Sequence, residues 1–492
     1  MKILIISTTS PSFDTHWGTE LEIMQRHIDD GDVVTHLCCN GELLACECNL
    51  YHDRTRCKNC IGRRRHGLSL LSKKVQSRSL LNLTHRDRVE LADLPMQHYN
   101  LKEFSNKVVE NFDIGFAVAS SMISMIRDHE PVLSEHGSSF QRFVISALSV
   151  YRSVLNYLRE HPVDRVYVFN GRLATCRAVF RACQSMKVPC FVHERGHDIH
   201  HYVVDENHTQ LELAYIEHCI RQSWRDASNQ SDRDAIAEKF YTDRLKGRQQ
   251  SWYSFIGGQE DGLLPRNWVS NRRNIVIFNS SEDEYASIGN EWRNPLYADQ
   301  QEGLERILDT LSNITHNVHL YLRIHPNLKT LDNTQTRKLA TLSANFLTVI
   351  PPDDPVSTYT LVKNATAVLT FGSTVGIEGV YWGTPSILAG QSYYRNLGGT
   401  YNPSSHDELI TMIKSELPPK NKEGAKMYGY FLNTFGMPFK YYKATSITNG
   451  TFKEHAFEVE ESLADHVKSG LDVMYILRSR LRVLHSLRLP GN

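Results

Sequence analysis

Short apolar runs alternate along this chain with longer stretches of helical spacing. Residues 2–7 form an apolar run that reads as a buried strand, followed by helical spacing over 19–29 and a second run, Val33–Leu37. The alternation continues through helical stretches at 101–127, 138–160, 173–186 and 206–247, with strand-like runs at Val166–Phe169 and Pro189–Val192. Strands interleaved with helices predict βαβ units and a doubly wound, parallel-sheet α/β domain. After an aromatic, Gly- and Pro-bearing stretch from Trp252 to Pro265, the pattern restarts. Strands are expected at 274–278, 318–322, 347–350, 367–370 and 385–388, with helices at 298–314, 334–345, 355–365 and 405–415. The expected fold class is therefore α/β, with two Rossmann-like domains at 1–250 and 273–445 and a linker at 251–272. A helical tail is expected over 446–492. There Leu471, Met474, Leu477, Leu481 and Leu484 share one face, with Arg478, Arg480, Arg482 and Arg488 largely off it. Such a face can pack on the body or lie on a membrane surface.

Open α/β sheets bind ligands outside the carboxyl ends of their strands, so the strand ends are where chemistry is expected. In the first domain one strand ends in Asn170-Gly171-Arg172 and the next in His193-Glu194-Arg195-Gly196-His197-Asp198. Glu194 is the candidate general base, with Arg172 and Arg195 as anion-binding or orienting groups. Asn170, His193, His197 and Asp198 complete an acceptor-side set. A structural Arg–Glu pair would leave the same local signature.

Three strand ends of the second domain carry groups suited to phosphate. They are Ser280-Ser281-Glu282, Arg323-Ile324-His325-Pro326 and Gly372-Ser373-Thr374. The last opens a helix, whose first N–H groups and two hydroxyls would form an anion site. Glu378, about one turn on, is placed to take ribose or sugar hydroxyls. A plain N-cap with a solvated glutamate gives the same pattern at one turn; convergence of three such ends favours a nucleotide-phosphate site.

Composition alters this picture in two respects. With 55 basic and 55 acidic residues among 492, no global charge draws the chain to nucleic acid, and anion binding must be local. No stretch approaches the length of a membrane span, and the first apolar run lacks a small-residue cleavage site. A cytoplasmic protein is expected, with the tail helix as a candidate for peripheral contact at the inner membrane. The second respect is cysteine: six of ten fall between residues 38 and 60. Cys39, Cys46, Cys57 and Cys60 give C-x6-C-x10-C-x2-C, with Cys38, Cys48 and His52 to spare. Four thiolates in a polar loop suggest a metal knuckle of structural role. Zinc and an iron–sulfur cluster both accept such a set, and spacing does not choose between them. The neighbouring run Gly62–His66 is basic, which suits a solvated face or an anionic acceptor.

Together, NSSEDEY, LRIHPN and FGSTVGIEGVYWGTPSILAG resemble the C-terminal half of bacterial capsule and O-antigen glycosyltransferases of GT-B type. The segments FNGR and HERG, with the CNGELLAC stretch, resemble the N-terminal half of the same group, and the likeness spans most of 1–445. It implies transfer of a sugar from a CMP-, CDP-, UDP- or GDP-linked donor to a growing glycan or lipid-linked acceptor. The His-Pro pair followed by Ser-Thr is also similar to motifs of bacterial sialyltransferases, capsule Kdo transferases and CDP-glycerol polymerases. That similarity implies a phosphate-holding role for His325, Ser373 and Thr374, with no metal at the donor phosphates. Two other readings share these features. One is a UDP-sugar 2-epimerase-like enzyme. The other is a non-catalytic carbohydrate- or nucleotide-binding scaffold that recruits partners through the knuckle and the tail.

Overall fold

In the computed structural model, which describes residues 1–93, 100–248, 250 and 255–457, the first apolar run is the strand Lys2–Ser7, buried at every position but its first. It lies inside a seven-stranded sheet. Edge to edge the order is Met437–Pro438, His201–Glu206, Cys190–Arg195, Arg165–Phe169, Lys2–Ser7, Val33–Cys38 and Gln76–Ser79. The last five are parallel, and the first two run antiparallel to their neighbours. A second, wholly parallel sheet runs Ser386–Leu388, Ala367–Thr370, Arg273–Phe278, Val318–Arg323, Leu347–Ile350. In each sheet the earliest strand sits inside and the chain winds outward in both directions. The order reverses between Lys2–Ser7 and Arg165–Phe169, and between Arg273–Phe278 and Ala367–Thr370; such switch points open crevices at the strand ends. The fold is thus α/β with two doubly wound domains, as the GT-B-like expectation had it.

Several boundaries differ from expectation. The stretch 101–127 is two helices, Leu101–Phe104 and Ile114–Ile126. Their connection crosses so tightly that a Cβ on Gly115 would lie 1.8 Å from the Phe104 carbonyl oxygen. The basic run Gly62–His66 lies inside a full helix, Arg54–Ser69, and the edge strand Gln76–Ser79 follows it. Helix 334–345 stops at Leu339.

Two segments also change domain. Residues 206–247 hold the end of strand His201–Glu206 and the helices Leu213–Asp226 and Gln230–Leu245. Ile216, Ile220, Phe240 and Tyr241 of these helices pack with Ile377, Val380, Tyr394 and Tyr428 of the second domain. The chain has therefore crossed over before residue 250. It also returns before residue 445. Met437–Pro438 joins the first sheet, and strands Tyr442–Ala444, Gly450–Phe452 and His455–Ala456 form a small antiparallel sheet near helix Asp14–Asp29. There the fully buried Glu22 carboxylate accepts the N–H groups of Lys440, Tyr441 and Tyr442. Residues 446–457, expected as the start of a helical tail, are thus strand and turn. The apolar face from Leu471 to Leu484 lies outside the described residues. Among the described residues no helix is long and apolar enough to cross a membrane.

Candidate functional site

The carboxyl ends of the second domain's strands carry the expected side chains, but the fold uses them unequally. Arg323 is buried, and its guanidinium donates to the carbonyls of Pro351 at 2.7 Å and Asp354 at 2.9 Å. It fastens the strand to the neighbouring loop, which removes it from the expected donor-binding set. His325, two residues on, stays available. Its Nδ1 accepts the Asn327 N–H at 3.1 Å, so the ring proton resides on Nε2. Burial, against the pull of Asp283, lowers its pKa to about 4 and keeps the ring neutral near pH 7. Pro326 sets the first position of the short 3-10 turn that makes this cap.

The segment Asn279–Tyr285 runs across these strand ends. The Ser280 carbonyl accepts from Gln300 and Gln335, and Ser281 Oγ donates to Asp283. Glu282 is buried, where it accepts the Gln300 N–H; burial raises its pKa to about 7. The Ser281 and Glu282 side chains, expected as donor contacts, are thus internal ties, and Ser280 is tied through its carbonyl. Asp283 pairs with Arg127 of the first domain, which sits in left-handed backbone at the end of helix Ile114–Ile126. Glu284 accepts from Asn327 Nδ2 at 2.6 Å.

The Gly-Ser-Thr turn keeps the geometry that its sequence promised. Gly372 has φ +152°, and a Cβ there would lie 2.9 Å from the Gln391 carbonyl oxygen, so glycine is required. Ser373 and Thr374 are partly exposed at the start of helix Val375–Trp382. Among the described residues neither of their N–H groups meets an acceptor. Thr374 Oγ1 accepts from Arg244 Nη2 at 3.2 Å. Glu378 is buried rather than open to sugar hydroxyls: Arg244 Nε donates to one oxygen at 3.0 Å and the Tyr359 hydroxyl to the other at 2.6 Å. Arg244 thus supplies the cation beside the turn. Nothing local in the sequence marked it, since its partners lie 130 and 134 residues away.

In the first domain Asn170 adopts left-handed backbone at φ +63°, caps the Arg172 N–H and donates to Glu194 Oε1 at 2.6 Å. Glu194 is partly exposed and held by this single side chain and its own neighbour's N–H. Arg172 donates to Ser124 and lies within electrostatic reach of Glu194, Glu284 and Asp283, so it stands between the two domains. The expectation for His193 fails. It is buried 3.5 Å from the fully buried Glu20, which also accepts from Ser10 at 2.6 Å and from Ser7. This network under the first strand's end, with His36 bonded to Ser7, leaves no local sequence signal because it joins residues from three separate strands. His197 Nδ1 donates to the Phe435 carbonyl and Asp198 accepts from His201, so both fasten the sheet edge to the returning chain. Arg195 lines a small pocket with Thr15, Thr19, Asp198, His201 and Phe439.

The four expected thiols lie within electrostatic reach of one another. Burial, then the thiols of Cys46 and Cys39, push Cys60 up to about 11. The same neighbours act on Cys57.

The family described as Capsule polysaccharide biosynthesis protein matches residues 252–431, which include all three motifs of the second domain that carried the resemblance. No curated protein matches the chain. Among solved structures it is similar to Thermosulfurimonas dismutans KpsC, beta Kdo 2,4 transferase, at 15% identity over 55% of this chain and 79% of that one, with a TM-score of 0.37. The UDP-GlcNAc 2-epimerase from Neisseria meningitidis bound to UDP-GlcNAc shows 12% identity over 87% and 98%, TM-score 0.24. The glycosyltransferase SnogD from Streptomyces nogalater shows 10% over 88% and 95%, TM-score 0.23. Likeness at these scores does not extend to substrate or mechanism.

Proposed function

We propose that the chain is a glycosyltransferase that moves a sugar from a nucleotide-activated donor onto a surface-polysaccharide acceptor. The observation that carries this reading is the turn at Ser373-Thr374: two N–H groups at a helix N-terminus that meet no acceptor among the described residues, with Arg244 beside Thr374. The match of residues 252–431 to a capsule polysaccharide family supports the substrate class.

The residues divide the work as follows. The donor phosphates rest on the Ser373 and Thr374 N–H groups and the Thr374 hydroxyl. Neutral His325 donates its Nε2 proton as a hydrogen bond to a phosphate oxygen, and Arg244 offsets charge without a metal at the phosphates. Because these donors are held in place beforehand, they stabilise the charge that grows on the leaving phosphate. Glu194, oriented by Asn170, accepts the proton of the acceptor hydroxyl. The acceptor oxygen bonds to the anomeric carbon as the carbon–oxygen bond to phosphate breaks, and its electron pair leaves with the nucleotide. Arg172, within electrostatic reach of Glu194 in the same domain, orients its carboxylate.

A thermal-shift panel with CMP, CDP, UDP, GDP and their sugar conjugates tests this reading. One base family should raise Tm with the logarithm of its concentration. His325→Ala should retain the basal Tm, lose most of that shift and lower transfer about 10²–10³-fold, as loss of one preorganised donor does. Full activity in His325→Ala removes the phosphate role, and the absence of any nucleotide shift overturns the transferase. Turnover of a UDP-sugar without acceptor would identify an epimerase instead.

A further inference from the structure

We propose that Cys39, Cys46, Cys57 and Cys60 hold an iron–sulfur cluster that braces the first domain's crevice. Three local connections bring these residues together. The Cys39–Gly41 turn closes with the Gly41 N–H donating to Cys39 Sγ at 3.3 Å. Gly41 itself, at φ +81°, passes so near Cys57 that a Cβ there would lie 3.4 Å from the Cys57 Cβ. The Cys46–Asn49 turn is closed by a pair of backbone hydrogen bonds, and Asn49 Nδ2 donates to Cys57 Sγ at 3.2 Å. Cys57 and Cys60 stand one turn apart in the first two turns of the sixteen-residue helix Arg54–Ser69.

The surroundings suit an anionic centre. N–H groups aimed at sulfur stabilise bound thiolates and tune such clusters. Arg64 is buried beside them, donating to the Cys39 carbonyl at 2.7 Å and to Asn40 at 2.8 Å. It provides a cation against four thiolates whose charge exceeds that of the metal they share.

Sulfur spacing separates the two kinds of centre. A zinc tetrahedron with bonds of about 2.3 Å holds its sulfurs about 3.8 Å apart. Among the described residues, the groups of three whose ligand atoms lie within 4.8 Å of one another include none of these cysteines. A cluster that gives each thiolate a different iron needs the wider arrangement.

The location assigns the role. Cys48 touches the Thr9 carbonyl through its sulfur at 3.7 Å, and Arg63 donates to the Pro11 carbonyl at 2.8 Å, so the unit backs the loop after the first strand. Glu47, between Cys46 and Cys48, accepts from Ser121 at 2.8 Å and from the Thr175 hydroxyl at 2.9 Å. Thr175 opens the helix that follows Asn170-Gly171-Arg172. The cysteine unit therefore holds both loops of the first switch point.

The test is composition and spectra of the full chain, expressed with ample iron and purified without oxygen. Stoichiometric iron with acid-labile sulfide, a broad visible absorption and a signal in electron paramagnetic resonance after dithionite reduction are expected. Cys60→Ser should lose most of the iron and sulfide, whereas Cys219→Ser, on a helix of the other domain, should keep both. Stoichiometric zinc without sulfide would overturn the cluster, as would metal-free protein with all four thiols open to a thiol reagent. Because the wild-type composition decides the matter, a poorly folding variant does not obscure it, and nucleotide binding is scored separately.

Discussion

At the scale of single residues, the second domain shows how one strand end sorts similar side chains to opposite ends. Arg323 and His325 are two residues apart, yet the arginine is spent on carbonyls 28 and 31 residues away while the histidine's Nε2–H meets no acceptor among the described residues. Glu282 offers the clearest titration at this scale. Its carboxyl is raised to about 7 in the fold against 4.5 unfolded, so between those values the native state holds a proton that the unfolded chain releases. Its favourable contribution is complete below pH 4.5 and is lost as pH rises through 7. Glu282→Gln should therefore gain stability relative to wild type from pH 5 to pH 8, by up to about 3 kcal/mol. Urea unfolding of both proteins across that range checks it, and a constant difference would refute the buried protonated carboxyl. His325 was legible from the sequence because strand-end position and residue type suffice to nominate it. The fate of Arg323 was not, because its acceptors are backbone carbonyls, which every residue carries.

At the scale of elements, strands and long helices were read well where the apolar pattern ran unbroken. The errors cluster at 101–127 and 206–247, where helical spacing continues through turns. Close backbone passages are set by glycines that the pattern does not distinguish. Gly390, just past strand Ser386–Leu388, is one: a Cβ there would lie 2.0 Å from the Phe371 carbonyl oxygen. Gly390→Ala should cost about 3 kcal/mol by overpacking, read as a lower denaturation midpoint. It should also weaken nucleotide shifts, since Phe371 leads directly into the Gly-Ser-Thr turn. An unchanged midpoint would mean that the two chain segments separate freely.

At the scale of the molecule, the two domains are joined by crossings in both directions and by polar ties. Arg127 pairs with Asp283, Asp128 accepts the Thr334 N–H and hydroxyl at 2.9 Å each, and Asn333 donates to the Arg127 carbonyl at 2.6 Å. Among the ties of the returning segment 437–457, Glu22 is the one that gathers three consecutive N–H groups on a single buried carboxylate. Glu22→Ala would leave three N–H groups and the Arg26 Nε–H without their acceptor, while Arg26 Nη2 keeps the Pro438 carbonyl. A loss of about 3 kcal/mol is expected. Limited proteolysis should then cut within 437–457 well before the rest of the chain opens, and protection equal to wild type would show that strand pairing alone holds the segment.

By itself the sequence determined the parallel strands at the heart of both sheets, the polar character of their carboxyl ends, the glycine turn before Val375 and the grouping of four cysteines. Each of these follows from local periodicity, turn chemistry or spacing, which neighbouring residues specify among themselves. Only the tertiary structure decided that helices 213–245 serve the second domain, that 437–457 return to the first, and that Arg244 rather than Arg323 stands beside the Gly-Ser-Thr turn. An amphipathic pattern states that a face is buried without stating against what. A charged side chain takes its partner from whatever the fold brings near, here across more than a hundred residues.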